Sequence, residues 1–284
     1  MAPPMLVYGV SAQMKLSYGI AGLEGRCPPL ADRVAYMPSF MRMSPDMVID
    51  YFGVFDGFFG AYSTEHQAKR LHVAIAKGIE DDLAAEAPRF LESPDDVDGW
   101  WKKTVQDAFR VVDDELAARV VGGVAVSSPA VVALVLKDYI VLAKRGATCN
   151  AVICRGEEAV QLTSEPCKNK EEQNAQNAEG HVAGSTSNLE DHMTTSRAIS
   201  LGPYFPKPEV LMVDREPRDK FLILATGGFW DHITPARACS FVRMRLYTSP
   251  STILPTTLTQ DLAELAVCHG SLRNVTVTVI LFNN

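Results

Sequence analysis

The sequence has no basic surplus, no long apolar run and no paired cysteines. Its 284 residues carry 27 Lys and Arg against 34 Asp and Glu, a net charge of −7, so a nucleic-acid surface of the usual basic kind is not expected. No stretch approaches the ~18 consecutive apolar residues of a membrane span, so no membrane partner is expected. The opening Met1-Ala2-Pro3-Pro4-Met5 lacks a basic segment followed by an apolar one, so no secretory signal is read there. Six cysteines stand at 27, 149, 154, 167, 239 and 268 without a Cys-x-x-Cys pair. They read as reduced thiols of an intracellular protein, cytoplasmic or nuclear, not as a disulfide frame or zinc site. The six histidines show no metal-ligand spacing on a common helical face. Cys-x5-Arg occurs three times, from Cys27, Cys149 and Cys239. Such repetition shows how weak the pattern is, and Pro28 and Pro29 remove donors a phosphate cradle needs. What is present is apolar content, 47%, enough for a sizeable core, with no repeat or linker. One domain over 1–284 follows.

The chain is organised around Tyr51-Phe52-Gly53-Val54-Phe55-Asp56-Gly57-Phe58-Phe59-Gly60. Residues 47–55 favour a pleated, half-buried surface and predict a strand, broken by Asp56-Gly57. A carboxylate at the tip of a buried strand, beside exposed backbone, suits a hard cation such as Mg²⁺ or Mn²⁺. Before it, Tyr8-Gly9 and Tyr18-Gly19 mark edge strands with turns, and Cys27-Pro28-Pro29 excludes a helix interior. After it, residues 63–77 predict a helix with a Thr64/Gln67 capping box and Ala68, Leu71 and Ile75 on one face. Ser93-Pro94 opens a second helix with a stripe of Trp101, Val105, Ala108, Phe109, Val112 and Leu116.

Short apolar runs at 130–136, 139–143, 151–154 and 159–162 are spaced as hairpins, which implies an antiparallel sheet. Residues 164–196 are polar and predict a long surface excursion. A buried strand at 221–226, a helix opened by Thr234-Pro235, a loop at 248–257, a stripe of Leu258, Leu262, Leu265 and Ala266, and an alternating strand at 275–282 complete the chain. This is a layered α+β pattern.

The organising stretch resembles the Gly-Val-Phe-Asp-Gly-His-Gly-Gly signature of the metal-dependent serine/threonine protein phosphatase 2C family, especially its plant-type members. Further blocks follow in family order. Gly25 to Asp32 is similar to Gly-x-Arg-x-x-Met-Glu-Asp, with Cys27 at the Arg, Ala31 at the Glu and Asp32 at the Asp. Leu142 to Thr148 resembles Val-Ala-Asn-x-Gly-Asp-Ser. Ala178 to Val182 and Ser196 to Ile199 follow the next blocks, with Ser200-Leu201 where Gly-Asp is expected. Leu224 to Asp231 is similar to Leu-Ala-Ser-Asp-Gly-Leu-Trp-Asp, with Gly227 at a metal-ligand Asp. Gly270 to Val277 is similar to Gly-Ser-x-Asp-Asn-Ile-Thr-Val, with Arg273 at the last one.

That resemblance implies a four-layer α/β/β/α sandwich of two antiparallel sheets flanked by helices. It also implies a site at one edge where two Mg²⁺ or Mn²⁺ ions would hold the water that attacks a phosphoserine or phosphothreonine. The substitutions point the other way. Asp56 and Gly57 are metal-site remnants and Asp32 a supporting one. Gly227 supplies no side-chain ligand, and Arg273 bears a charge that repels a cation and can itself pair with Asp56. Cys27 cannot grip phosphate as Arg does, and Phe58 replaces the histidine expected as general acid. The expectation is therefore an inactive or impaired phosphatase-like binding and regulatory module with no cofactor, the alternative being an active enzyme with an altered Mg/Mn site. Phe58 and Phe59 are expected to fill the space vacated by metal and water, a burial worth ~2–3 kcal/mol each, or else to form an apolar rim. Arg26, Arg33 and Arg273 are expected to attract an acidic segment, and the partner is expected to be a protein, a kinase or a phosphoprotein.

Overall fold

The computed structural model describes residues 4–11, 16–26, 29–44, 47–85, 94–119, 127–163, 206–248 and 254–282. Two antiparallel sheets pack face to face. One has the order β1-β2-β11-β10-β7-β8, the other β3-β4-β5-β6-β9. Their strands are β1 Met5–Ser11, β2 Leu16–Leu23, β3 Arg33–Ser44, β4 Met47–Phe55, β5 Ala130–Val135, β6 Tyr139–Arg145, β7 Asn150–Arg155, β8 Glu158–Gln161, β9 Glu209–Asp214, β10 Asp219–Ala225 and β11 Val275–Phe282. Helices α1, Ala61–Ala84, and α2, Pro94–Arg119, cover the five-stranded sheet. A short α3, Gly227–Trp230, then α4, Pro235–Thr248, and α5, Pro255–Cys268, lie against the six-stranded one.

The periodicities explain this layering. Strands β4, β5 and β6 are buried almost throughout because one face meets the helices and the other meets the second sheet. Alternate residues of β4 divide accordingly: Ile49, Tyr51 and Phe55 pack under α1 and α2, whereas Phe52 and Val54 enter the layer between the sheets. The whole predicted α2 stripe is buried, as are Leu71 and Ile75 of α1. The four-layer sandwich expected from the sequence is the fold found.

Some local expectations are corrected. Strand β3 gives no signal in the sequence because its polar and methionine-rich run lacks clear alternation. Strands β6 and β7 are not partners; the chain passes from one sheet to the other between them. No capping box opens α1. Gly60, at φ 99°, is its N-cap, and the Thr64 hydroxyl instead donates to the Ala31 carbonyl at 2.7 Å. That bond fastens the first turn of α1 to the loop carrying Asp32, which matters for the site. The polar excursion of 164–196 lies outside the described residues. Among the described residues no helix is long and apolar enough to cross a membrane.

Candidate functional site

Strand β4 carries Asp56 out of the core, and the end of β10 and the residues before β11 deliver Gly227 and Arg273 beside it. The loop before β3 brings Asp32. These segments meet at one end of the sheet sandwich, and hydrogen bonds from four distant parts of the chain define the meeting. Asp32 Oδ1 accepts from Gly57 N–H at 2.8 Å, while Oδ2 accepts from the hydroxyls of Thr226 at 3.0 Å and Thr276 at 2.9 Å. Burial, then the neighbouring Asp56 charge, push the Asp32 carboxyl up to about 6, although its three donors pull the other way. Asp56 Oδ1 accepts from Phe58 N–H at 3.0 Å, an Asx-type cap on the short turn Gly57–Phe59.

The other oxygen of Asp56 faces Arg273. Arg273 Nη2 donates to Asp56 Oδ2 at 2.8 Å and Nη1 to Asp231 Oδ2 at 2.9 Å. Burial lowers the affinity of Arg273 for its proton, but Asp56, Asp231 and Asp32 together outweigh that and raise it. Gly227 makes room for this arrangement. A Cβ there would stand 2.7 Å from Arg273 Nη1 and 2.9 Å from Thr148 Cβ, while Gly227 N–H approaches Asp56 Oδ2 at 3.3 Å. The absence of a side chain at Gly227 thus leaves the space that the Arg273 guanidinium occupies. Gly57 is equally constrained, since a Cβ would come within 2.4 Å of Ala31.

Asp32, Ala31, Asp56, Gly57, Phe58, Gly227 and Arg273, all singled out from the sequence, come together here. Cys27, Ser200, Leu201 and the side chain of Phe59 lie outside the described residues. Of the two expectations for Phe58, filling a vacated space is the one corrected. Its side chain is half exposed, with the Arg273 guanidinium 5.5 Å from its ring centroid. Arg33 is anchored at the site's edge, its Nη1 donating to the carbonyls of Leu30 and Asp32 at 2.6 and 2.9 Å. Sequence reasoning misses Asp231, the second partner of Arg273, although the block ending Trp230-Asp231 contains it. It also misses Thr226 and Thr276, which hold Asp32. Periodicity gives no signal for two threonines meeting from neighbouring strands.

Comparison with known proteins interprets this geometry. The sequence pattern of the family described as Protein phosphatase 2C matches residues 17–275. The chain belongs to the protein phosphatase 2C family. It is 30% identical over 303 residues to Protein phosphatase 2C 56 of Arabidopsis thaliana, covering 93% of this chain and 67% of that protein. Protein phosphatase 2C 3 of the same plant is 32% identical over 253 residues, covering 81% of this chain and 54% of that protein. The crystal structure of a serine-threonine phosphatase 2C from Toxoplasma gondii superposes with a TM-score of 0.71 at 19% identity, covering all of both chains. That likeness shows the fold.

Membership corrects one expectation, that no cofactor is involved. The protein phosphatase 2C family is Mg/Mn-dependent, so a divalent cation is the cofactor that membership implies. The donor set as arranged does not fit a two-cation centre. Among the described residues no cluster of three or more His, Cys, Asp or Glu side chains is placed to hold a metal, and the Arg273 guanidinium takes the free oxygen of Asp56. A cation entering beside Asp56 would first have to displace that guanidinium.

Proposed function

We propose that this chain is a phosphatase 2C family protein with an impaired hydrolytic step, acting inside the cell as a binding and regulatory module in phosphorylation signalling. Its partner on this reading is a protein, a kinase or a phosphoprotein. The supporting observation is the ion pair of Arg273 with Asp56 and Asp231, made possible by Gly227. A guanidinium is always charged and cannot coordinate a cation. The site also offers no residue in the leaving-group acid position, since Phe58 stands there.

The rim supports recognition. Phe58, Tyr62 and Leu272 are 50%, 58% and 50% exposed. Arg26 stands beside Leu272, its backbone N–H donating to the Leu272 carbonyl at 2.8 Å. Large exposed apolar side chains gathered at one rim suit a protein surface. A second reading, an active enzyme with an altered Mg/Mn site, draws on the family and on the retained Asp56 and Asp32.

Hydrolysis of a phosphothreonine peptide, titrated with Mn²⁺ and with Mg²⁺, separates the two readings. The unaltered protein should stay at the level of a mock preparation. Gly227→Asp/Arg273→Asp should turn over faster than either single variant, because ligands of one site act as a unit. Family-like turnover by the unaltered protein, lost on Asp56→Ala, would establish the second reading.

A further inference from the structure

Outside the Asp56 site, one free edge of the six-stranded sheet is unguarded. Strand β1 lies at that edge and, among the described residues, pairs with β2 alone. Alternate residues of a strand turn their N–H and C=O to opposite sides, so roughly half of the β1 backbone faces away from β2. Native edges are commonly protected by charge, proline or a bulge. Met5-Leu6-Val7-Tyr8-Gly9-Val10-Ser11 has no charged residue and no proline. Its register against β2 runs unbroken from Met5 opposite Gly22 to Ser11 opposite Leu16.

The side chains divide between two faces. Met5 and Val7 pack into the layer between the sheets, whereas Leu6, Tyr8 and Val10 are 41%, 50% and 53% exposed. Tyr8 stands opposite Gly19, and cross-strand partners share a face. A Cβ on Gly19 would come 2.1 Å from the Pro255 carbonyl oxygen, so the exposed stripe lies on the outer face, the one that α5 covers. Helix α5 packs mainly on β2 and β11 and leaves the stripe open. Leu254, at its N-cap, is exposed as well.

We propose that β1 is the pairing surface for a second copy of this chain, the two strands lying antiparallel about a two-fold axis at Tyr8. Self-complementarity selects this occupant. Tyr8 is the centre of the seven-residue strand, so this register overlaps its whole length. It sets Leu6 against Val10 of the partner subunit and Tyr8 against Tyr8 of the partner subunit. Both apolar stripes then lie side by side on one outer face, each covering the other, with an α5 helix on either flank. Identical strands paired in this way would set like charges against each other if they carried them, and β1 carries none. The backbones contribute about six inter-chain N–H···O=C bonds whichever alternate set faces outward. Because each copy uses its own β1, the contact closes at two chains.

The test is sedimentation velocity of the full chain between about 1 and 100 μM, in reducing buffer so that the exposed Cys268 cannot join two chains. The mass should rise with concentration from that of one chain toward that of two, and return on dilution. Leu6→Lys/Val10→Lys sets like charges in both Leu6/Val10 pairs and should weaken association roughly tenfold or more. Leu6→Lys/Val10→Glu sets opposite charges there and should recover most of it. Both variants alter the same exposed positions, and circular dichroism checks that each keeps its fold. Under mild oxidation Tyr8→Cys should give a dimer linked through position 8, whereas Tyr247→Cys, at the exposed end of α4, should not link through position 247. A single-chain mass across the whole range overturns the proposal, including the case in which a strand of another protein occupies the edge. Equal association of the two charge variants, or a Tyr8→Cys dimer linked elsewhere, overturns it too. The mass of the unaltered chain decides the matter even if a variant fails to fold.

Discussion

Removing the Arg273 side chain is the most direct test of the site geometry. The Asp56 side chain is 4% exposed and that of Arg273 28%, so the pair is largely but not wholly withdrawn from water. Breaking a fully buried pair by deleting one partner costs about 3–5 kcal/mol. Solvent at the Arg273 end, and the two backbone N–H groups that stay on Asp56, reduce that to about 2 kcal/mol. The contact with Asp231 adds a few tenths at most, because Asp231 is largely solvated. For a chain of this size Arg273→Ala should therefore lower Tm by roughly 4–8 °C. Asp56→Asn in the Arg273→Ala background should recover part of the loss, since the unpaired charge is then gone. The resulting double-mutant cycle should give a coupling of about 1–2 kcal/mol. Urea denaturation of the four proteins at pH 7 measures it. A loss below about 0.5 kcal/mol, or additive single variants, would refute the view that Arg273 serves as the counter-charge of Asp56.

Other expectations rest on the same physics. Asp32 titrates at about 6 in the fold against an ordinary 3.8, so its contribution is fully present below about 3.8 and is lost as pH rises through about 6. That loss is at most about 3 kcal/mol, and Asp32→Asn should remove it, gaining on the unaltered protein between pH 4 and 7 in denaturation midpoints. Arg145 holds Asp113 at 2.7 and 2.9 Å with both side chains buried, so Arg145→Ala should cost about 3–5 kcal/mol, and replacement of both by apolar residues much less. Gly57→Ala should destabilise by more than about 1 kcal/mol, because its Cβ would overlap Ala31; an unchanged midpoint in thermal unfolding would contradict that. Partners captured by the unaltered protein should be lost with Phe58→Ser, and equal capture would remove the rim as the site.

Much of the site is legible in the amino-acid sequence. Asp56, Gly57, Asp32, Gly227 and Arg273 sit in short blocks whose order is kept, and opposite charges at Asp56 and Arg273 suggest their pairing. Asp231, Thr226 and Thr276 are not legible as site residues. Their roles depend on the register of β10 against β11, which brings Thr226 and Thr276 to one carboxylate. For Phe58 the sequence leaves burial and an exposed rim both open, because an apolar side chain favours burial but the turn at Gly57–Phe59 leaves it half exposed over Arg273.

The frame was determined by the order of residues in the chain. Runs with a period of two or of 3.6 define their own buried face, because burial of apolar area is additive and local in sequence. The strand ending at Asp56, the α2 stripe and the terminal strand follow from that alone. What only the tertiary structure decided is which strand lies beside which, and hence which polar atoms meet. The pairing of Arg273 with Asp56 and Asp231 and the three donors on Asp32 all join segments far apart in sequence. Hydrogen bonds and ion pairs are short-ranged and directional, so their partners exist only once the sheets have closed.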